Sequence, residues 1–164
     1  MPKLVKDNAL ADCGRAFLAK DATLDSITRS NDVVPLSLWL EHLDQCKARG
    51  IDAVWVDSDE LTEPLAPSLE ELSLVAIHFP TFMDGRGFST GRILRERLGF
   101  TGEIRAFGNV IQDQMHYLLR CGFNAFALRE GTDLESALIS LQDFTEHYQA
   151  AVVQDKPLFL RRSA

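Results

Sequence analysis

Long apolar runs are missing from this chain. No stretch of the 164 residues is long and apolar enough to span a bilayer, and no charged-then-apolar leader opens the sequence. The expected setting is cytoplasmic, with no membrane partner. A basic excess is missing too: 17 Lys and Arg stand against 24 Asp and Glu, a net charge of −7, which argues against a nucleic-acid partner. Cysteine is scarce. Cys13, Cys46 and Cys121 stand too far apart for zinc, iron–sulfur or CxxC spacing. No metal site is expected, and the three read as free thiols, with Cys46 and Cys121 late in predicted helices as small core residues. The metalloprotease spacing HExxH and the Walker loop are also absent. His42, His116 and His147 scatter over predicted helices, and His78, inside an apolar strand, reads as a packed core histidine.

What the chain does have is 46% hydrophobic residues, enough for one globular domain with a real core. Residues 1–32 are weakly patterned and read as an N-terminal extension packed on the main sheet, with Lys3-Leu4-Val5 as a short edge strand. From Val33 a βα rhythm begins. Strands are predicted over 33–38, 53–56, 74–79, 103–107 and 125–128, and helices over 39–49, 90–98, from 110 and from 134. Asn109 with Gln112 and Thr132 with Glu135 read as capping boxes. Three helices end in Gly and an apolar residue, Gly50-Ile51, Gly99-Phe100 and Gly122-Phe123, each followed within a few residues by a strand. Gly at such a stop takes the left-handed conformation while the apolar residue folds back on the last turn. The fold class is therefore α/β, with about five mainly parallel strands in βα repeats, covered on both faces because the strands are almost wholly apolar. A doubly wound sheet and a half-barrel-like run of neighbouring strands both satisfy the right-handed crossover rule. The core domain is expected over residues 33–150, and residues 151–164 form a tail.

In either order the loops after the strands converge on one edge, where α/β proteins bind ligands. The central one, Asp84-Gly85-Arg86-Gly87, runs into a helix whose expected N-cap is Ser89 or Thr90. Free N–H groups there and the Arg86 fork suit a small oxyanion, held by Arg86, Gly87, Ser89 and Thr90. Asp84, Arg86 and Asp113 are the candidate catalytic groups. The competing reading is structural, with Arg86 pinning the loop through Asp84 or Asp113. Gly85, Gly87 and Gly91 loosely resemble a dinucleotide loop but lack its third-glycine spacing; no cofactor is predicted, and NADP is the single one considered. Arg92 and Arg95 on the central helix, with Leu158, Phe159, Arg161 and Arg162 in the tail, are candidate partner-binding residues, and a homo-oligomer is compatible with the sequence.

The run FPTFMDGRGFSTGRILRERLGFTGEIRAFGNVIQDQMHYLLRCGFNAFAL, from Phe79 to Leu128, together with Tyr148-Gln149 and the Pro-Leu-Phe tail, closely resembles the bacterial domain-of-unknown-function family 934. Asn109 and Asn124 stand where the family pattern more often has Asp. The resemblance implies a part in sulfite reduction within sulfur assimilation and cysteine biosynthesis, as an oxidoreductase-associated component. It also implies sulfite reductase or another sulfur-assimilation protein as partner. Reducing sulfite to sulfide takes several electrons and normally haem and iron–sulfur centres. The cysteine spacing supplies no such centre, so an accessory role is expected. The alternatives are a stand-alone enzyme acting on an oxyanion-bearing metabolite and a structural adaptor.

Overall fold

The computed structural model describes residues 3–162. Met1, Pro2, Ser163 and Ala164, the outermost residues of the expected extension and tail, lie outside the described residues. The core is one seven-stranded sheet of order β2-β1-β7-β6-β5-β4-β3. Strands β3 (Val34–Pro35), β4 (Ala53–Val56), β5 (Leu74–Phe79), β6 (Glu103–Gly108) and β7 (Ala125–Phe126) are parallel and lie side by side in chain order. The sheet stays open, its edges being β2 and β3. Of the two expected orders, the structure has the run of neighbouring strands, without closure into a barrel.

The strand count is seven rather than five. Strands β1 (Lys3–Lys6) and β2 (Ala9–Asp12) form an antiparallel hairpin that adds to β7, Val5 lying opposite Phe126. Asp7 and Asn8, at φ 48° and 59°, make the turn, a geometry that Asn and Asp tolerate best among non-glycine residues. The expectation of one edge strand at Lys3–Val5 missed β2 because three of its four residues are exposed and carry no apolar period.

Alternation along the strands separates two apolar faces. Val54, Val56, Val75, Ile77, Phe79, Ile104 and Ala106 face the helices. These are α1 (Leu36–Glu41), α2 (Leu43–Ala48), α3 (Arg86–Glu96), α4 (Gln112–Arg120) and α5 (Leu134–Ser140), with a short α6 (Leu158–Arg161) in the tail. Ala53, Trp55, Leu74 and Ala76 face the other way and are covered by residues 13–33 instead of helices. There Phe17 lies 4.5 Å from Phe107, Trp55 donates its indole N–H to Leu18 O at 2.9 Å, and Arg15 bonds Asp52 at 2.7 Å. The segment then turns round the β3 edge, where Leu24 and Ile27 pack on the helix-side core and Arg49 donates to Leu24 O.

The glycine stops have the expected form. Gly50, Gly99 and Gly122 have φ of 75°, 67° and 99°. Ile51 N–H donates to Cys46 O and Gly50 N–H to Lys47 O, and the same pair of bonds joins Phe123 to Leu118 and Gly122 to Leu119, the double bond of a Schellman stop. Helix starts differ more. The first helix begins at Leu36 and breaks at His42. Neither expected capping box forms: α4 starts at Gln112 with Gln114 Oε1 accepting from Ile111 N–H, and Asp133, not Thr132, caps α5 by accepting from Glu135 and Ser136 N–H. Helix α5 ends at Ser140, short of Tyr148.

Helix α3 lies unusually near the sheet. A Cβ on Gly87 would stand 2.6 Å from the Phe79 ring, and one on Gly91 2.2 Å from the Phe123 ring. Both glycines are buried on the helix's inner side, so close packing accounts for their spacing. Gly91→Ala overpacks this contact and is expected to lower stability by about 1–3 kcal/mol. Urea denaturation checks it, and a variant as stable as wild type would show that α3 has room to retreat.

Candidate functional site

The polar edge lies where β4 and β5 end. Val56 pairs with Ile77 in register, so the next residues, Asp57 and His78, meet across the strand ends, with His78 Nδ1 3.0 Å from Asp57 Oδ1. Asp57 also takes Lys20 Nζ at 2.6 Å and the N–H of Ser58, while its own N–H donates to Glu60. Partial burial pushes the Asp57 carboxyl up, but Lys20, His78 and the Ser58 N–H outweigh it and hold it at about 2. An ionised carboxylate only accepts. His78 therefore donates from Nδ1, which leaves Nε2 as the nitrogen not engaged by Asp57. The ring is stacked 5.0 Å from Phe107 and edge-on to Trp55, with 30% of its side chain exposed. Gly108, at φ 98°, comes so near that a Cβ there would stand 2.7 Å from His78 Cδ2 and 3.0 Å from Nε2. His78 is thus no core histidine. It is a fixed imidazole at the rim, on the face away from the helices.

On the helix side of the same edge, α3 begins at Arg86, four residues earlier than the sequence suggests. Asp84 explains the shift: its Oδ1 accepts from Arg86 N–H at 3.2 Å, and an acidic side chain before a helix complements the helix dipole. The same carboxylate takes the Arg86 fork, Nε at 3.0 Å and Nη2 at 2.7 Å, while Nη2 also reaches Ser58 Oγ at 3.0 Å. The Arg86 guanidinium and the Ser58 hydroxyl hold the Asp84 carboxyl well below the usual carboxylate range. The expected oxyanion seat is therefore filled by the loop's own carboxylate. Asp57-Ser58 joins the two halves, its first side chain holding His78 and its second holding Arg86. Four carboxylates, Asp57, Asp59, Glu60 and Asp84, stand there against two cations, Lys20 and Arg86.

Other expected site residues lie elsewhere. Gly87 faces inward. Ser89 and Thr90 cap nothing: Ser89 is exposed on the second turn and Thr90 Oγ1 donates back to Arg86 O. Gly87-Phe88-Ser89-Thr90-Gly91 has the literal spacing of a nucleophile elbow, but such a serine stands at the turn straight after a strand. Ser89 instead lies within a helix, ten residues beyond the end of β5. Asp113 is exposed in a separate groove with Gln112, Arg129 and Glu130, and among the described residues no hydrogen bond or ion pair joins it to Arg86. Arg95 is a correction. It points inward and donates to the carbonyls of Gly122, Phe100 and Gly102 and to Asn124 Oδ1, tying two αβ junctions together, α3 to β6 and α4 to β7, rather than meeting a partner. Arg92 stays on the surface, paired with Glu96 at 2.8 Å. Arg161 pairs with Glu146 at 2.6 Å, and Leu160 and Phe159 are exposed.

Sequence reasoning missed Lys20, which no pattern marks, and the His78–Asp57 pair. The pair had a readable signal: consecutive parallel strands in register place a residue near the end of one beside the first loop residue of its neighbour. Among the described residues no helix is long and apolar enough to cross a membrane, and no group of three or more His, Cys, Asp or Glu is placed to hold a metal ion.

The fold and edge define an α/β protein with a sequentially ordered parallel sheet and a charged rim at its carboxyl end. The family described as a bacterial protein of unknown function (DUF934) matches residues 53–159, and the chain belongs to it. No curated protein matches the chain.

Asp57 gives a pH test. Its folded carboxyl lies below the unfolded value of about 3.9. Its contribution is thus fully present above that value and is lost as pH falls through about 2. For this mostly buried carboxylate the contribution is about 2 kcal/mol. Asp57→Asn is expected to lose that stability at pH 6 and to show a flatter decline in acid, read from urea midpoints at pH 6 and pH 3. Parallel declines in the two proteins would disprove it.

Proposed function

We propose that this protein is an accessory component of assimilatory sulfite reduction that holds a small oxyanion at the carboxyl edge of its sheet and works beside a cytoplasmic reductase. The observation that carries the oxyanion part is Arg86. Its side chain is 60% exposed at the start of an eleven-residue helix, and it already grips an anionic group, Asp84. The link to sulfite rests on the family resemblance. The accessory role rests on chemistry: the reduction needs a centre that collects electrons, while Cys46 and Cys121 are buried and Cys13 lies on the N-terminal segment.

An incoming oxyanion must displace Asp84 from the Arg86 fork. Exchanging one charge-assisted set of bonds for another leaves little net gain, so binding is weak and reversible, as suits a protein that passes a substrate on. The alternative of a structural adaptor has one observation in its favour, the exposed tail in which Tyr148 lies 6.4 Å from Phe159 beside exposed Leu160. In the proposed role this tail, with Arg162, is the docking face for the reductase.

Arg86→Gln is expected to abolish sulfite binding in calorimetry with little change in stability, since its pairing is exposed. Asp84→Asn frees the fork and is expected to tighten binding by about tenfold. Unchanged sulfite affinity in both variants would remove the oxyanion seat. Removing Leu158–Arg162 is expected to abolish any gain in reductase activity caused by adding this protein, leaving sulfite affinity intact. A gain that survives the truncation would place the docking face elsewhere.

A further inference from the structure

The charge balance of the edge sets a condition on any anion that enters it. Four carboxylates already outnumber Lys20 and Arg86 there, and a bare dianion would add two more negative charges. The edge holds one group that adjusts the balance, His78. Its Nδ1 is committed to Asp57 at 3.0 Å. Its Nε2 has no hydrogen-bond partner among the described residues, and Gly108 crosses beside it without a side chain. The groups facing the ring are Asp57 and Trp55 from β4, with Lys20 and Asp59 behind Asp57, and the uncharged Phe107 and Gly108 from β6. Asp57, Trp55, Phe107 and Gly108 are the groups in direct contact with the ring, and none of them is cationic. Asp57 stabilises an imidazolium once it forms.

We propose that the edge binds its oxyanion together with a proton, and that His78 Nε2 is the atom that takes the proton up. The proton comes from solvent or from the ligand itself and is given back on release; no other bond changes. The ligands this favours are small oxyanions that themselves gain or lose a proton near neutrality, as sulfite and phosphate do and sulfate does not. Imidazole exchanges protons in the same range. Held by Asp57, Phe107 and Trp55 on the face away from α3, His78 acts on the anion through its charge, with Asp57-Ser58 as its link to Arg86. Affinity then rises as the pH falls through the range in which imidazoles are protonated, by up to about tenfold per pH unit when one proton is fully coupled.

The inference rests on the oxyanion reading of Arg86, and the two fail differently. Sulfite, phosphate and sulfate are titrated into the full chain by calorimetry at pH 6, 7 and 8, each in two buffers of different ionisation enthalpy, so that proton uptake is read directly. Net uptake on binding sulfate, with affinity rising toward pH 6, and loss of that uptake in His78→Gln with binding retained, are the expected results. Sulfite and phosphate are expected to bind with less net uptake from buffer where they bring the proton themselves. Because His78→Gln disturbs a stacked ring, the imidazole resonances of wild-type His78 are followed in parallel, and saturating sulfate is expected to move their titration to higher pH. Anion binding with no proton uptake and an unmoved His78 titration overturns this inference and leaves the Arg86 seat standing. No binding of any of the three at any pH overturns both.

Discussion

The close approach of α3 to the sheet is the constraint on which the rest depends. Two glycines four residues apart let the helix sit directly on the rings of Phe79 and Phe123, where a single methyl group at either would force them apart. From that depth Arg95, near the end of the helix, reaches three carbonyls at the bottom of the sheet. Arg86, at its start, reaches over the top edge to Ser58. One helix therefore fixes both ends of the molecule. A looser α3 would leave Arg95, which burial disfavours as a cation, without the carbonyls that satisfy it.

How much of this was legible follows from what each residue encodes. The αβ junctions were readable because a glycine at positive φ followed by an apolar residue has few other uses, and Gly50 and Gly122 close their helices by the bonds this pattern implies. Such stops record that a strand follows, not which strand it joins, so strand order had to come from the structure. The hairpin at the N-terminus was hidden because its outer strand is mostly exposed. Helix starts were misplaced wherever Ser, Thr or Asn stood near a better-placed group: Asp84 and Asp133 do the work assigned to Ser89 and Thr132. Arg86 was readable as the cation of the edge. His78 was overlooked because it lies within an apolar strand, one residue before its end, and only the pairing of β4 with β5 shows that it meets Asp57 at the rim. Arg95 was misread because a charged residue on a helix shows its charge in the sequence but not the direction of its long side chain.

The edge is built to be nearly self-contained. Lys20 is shared by two carboxylates, Arg86 by a carboxylate and a hydroxyl, and Asp57 by a lysine, an imidazole and a backbone N–H. Such mutual satisfaction holds the groups in place before a ligand arrives, which favours precise geometry over tight binding. It also spreads the site over four chain segments, the 13–33 wrap, the loop after β4, the end of β5 and the start of α3, so its integrity depends on the wrap as much as on the βα core.

Asn124 ties the turn of the N-terminal hairpin to the start of β7. Its Nδ2 donates to Asp7 Oδ1, a partner 117 positions away. Its Oδ1 accepts from Ile104 N–H, and its backbone O accepts from Asp7 N–H. The amide gives and receives hydrogen bonds at once; an ionised aspartate at this position would lack the donor for Asp7. During synthesis the order of assembly is therefore inverted. Strand β1 leaves the ribosome before the parallel strands yet has no neighbour among them until β7 has emerged, because Val5 and Lys6 pair with Phe126 and Ala125. Until then the hairpin's pairing within the sheet is that of β1 with β2. Its docking is a contact of very long sequence separation, the kind whose loop-closure cost weighs most on folding rate.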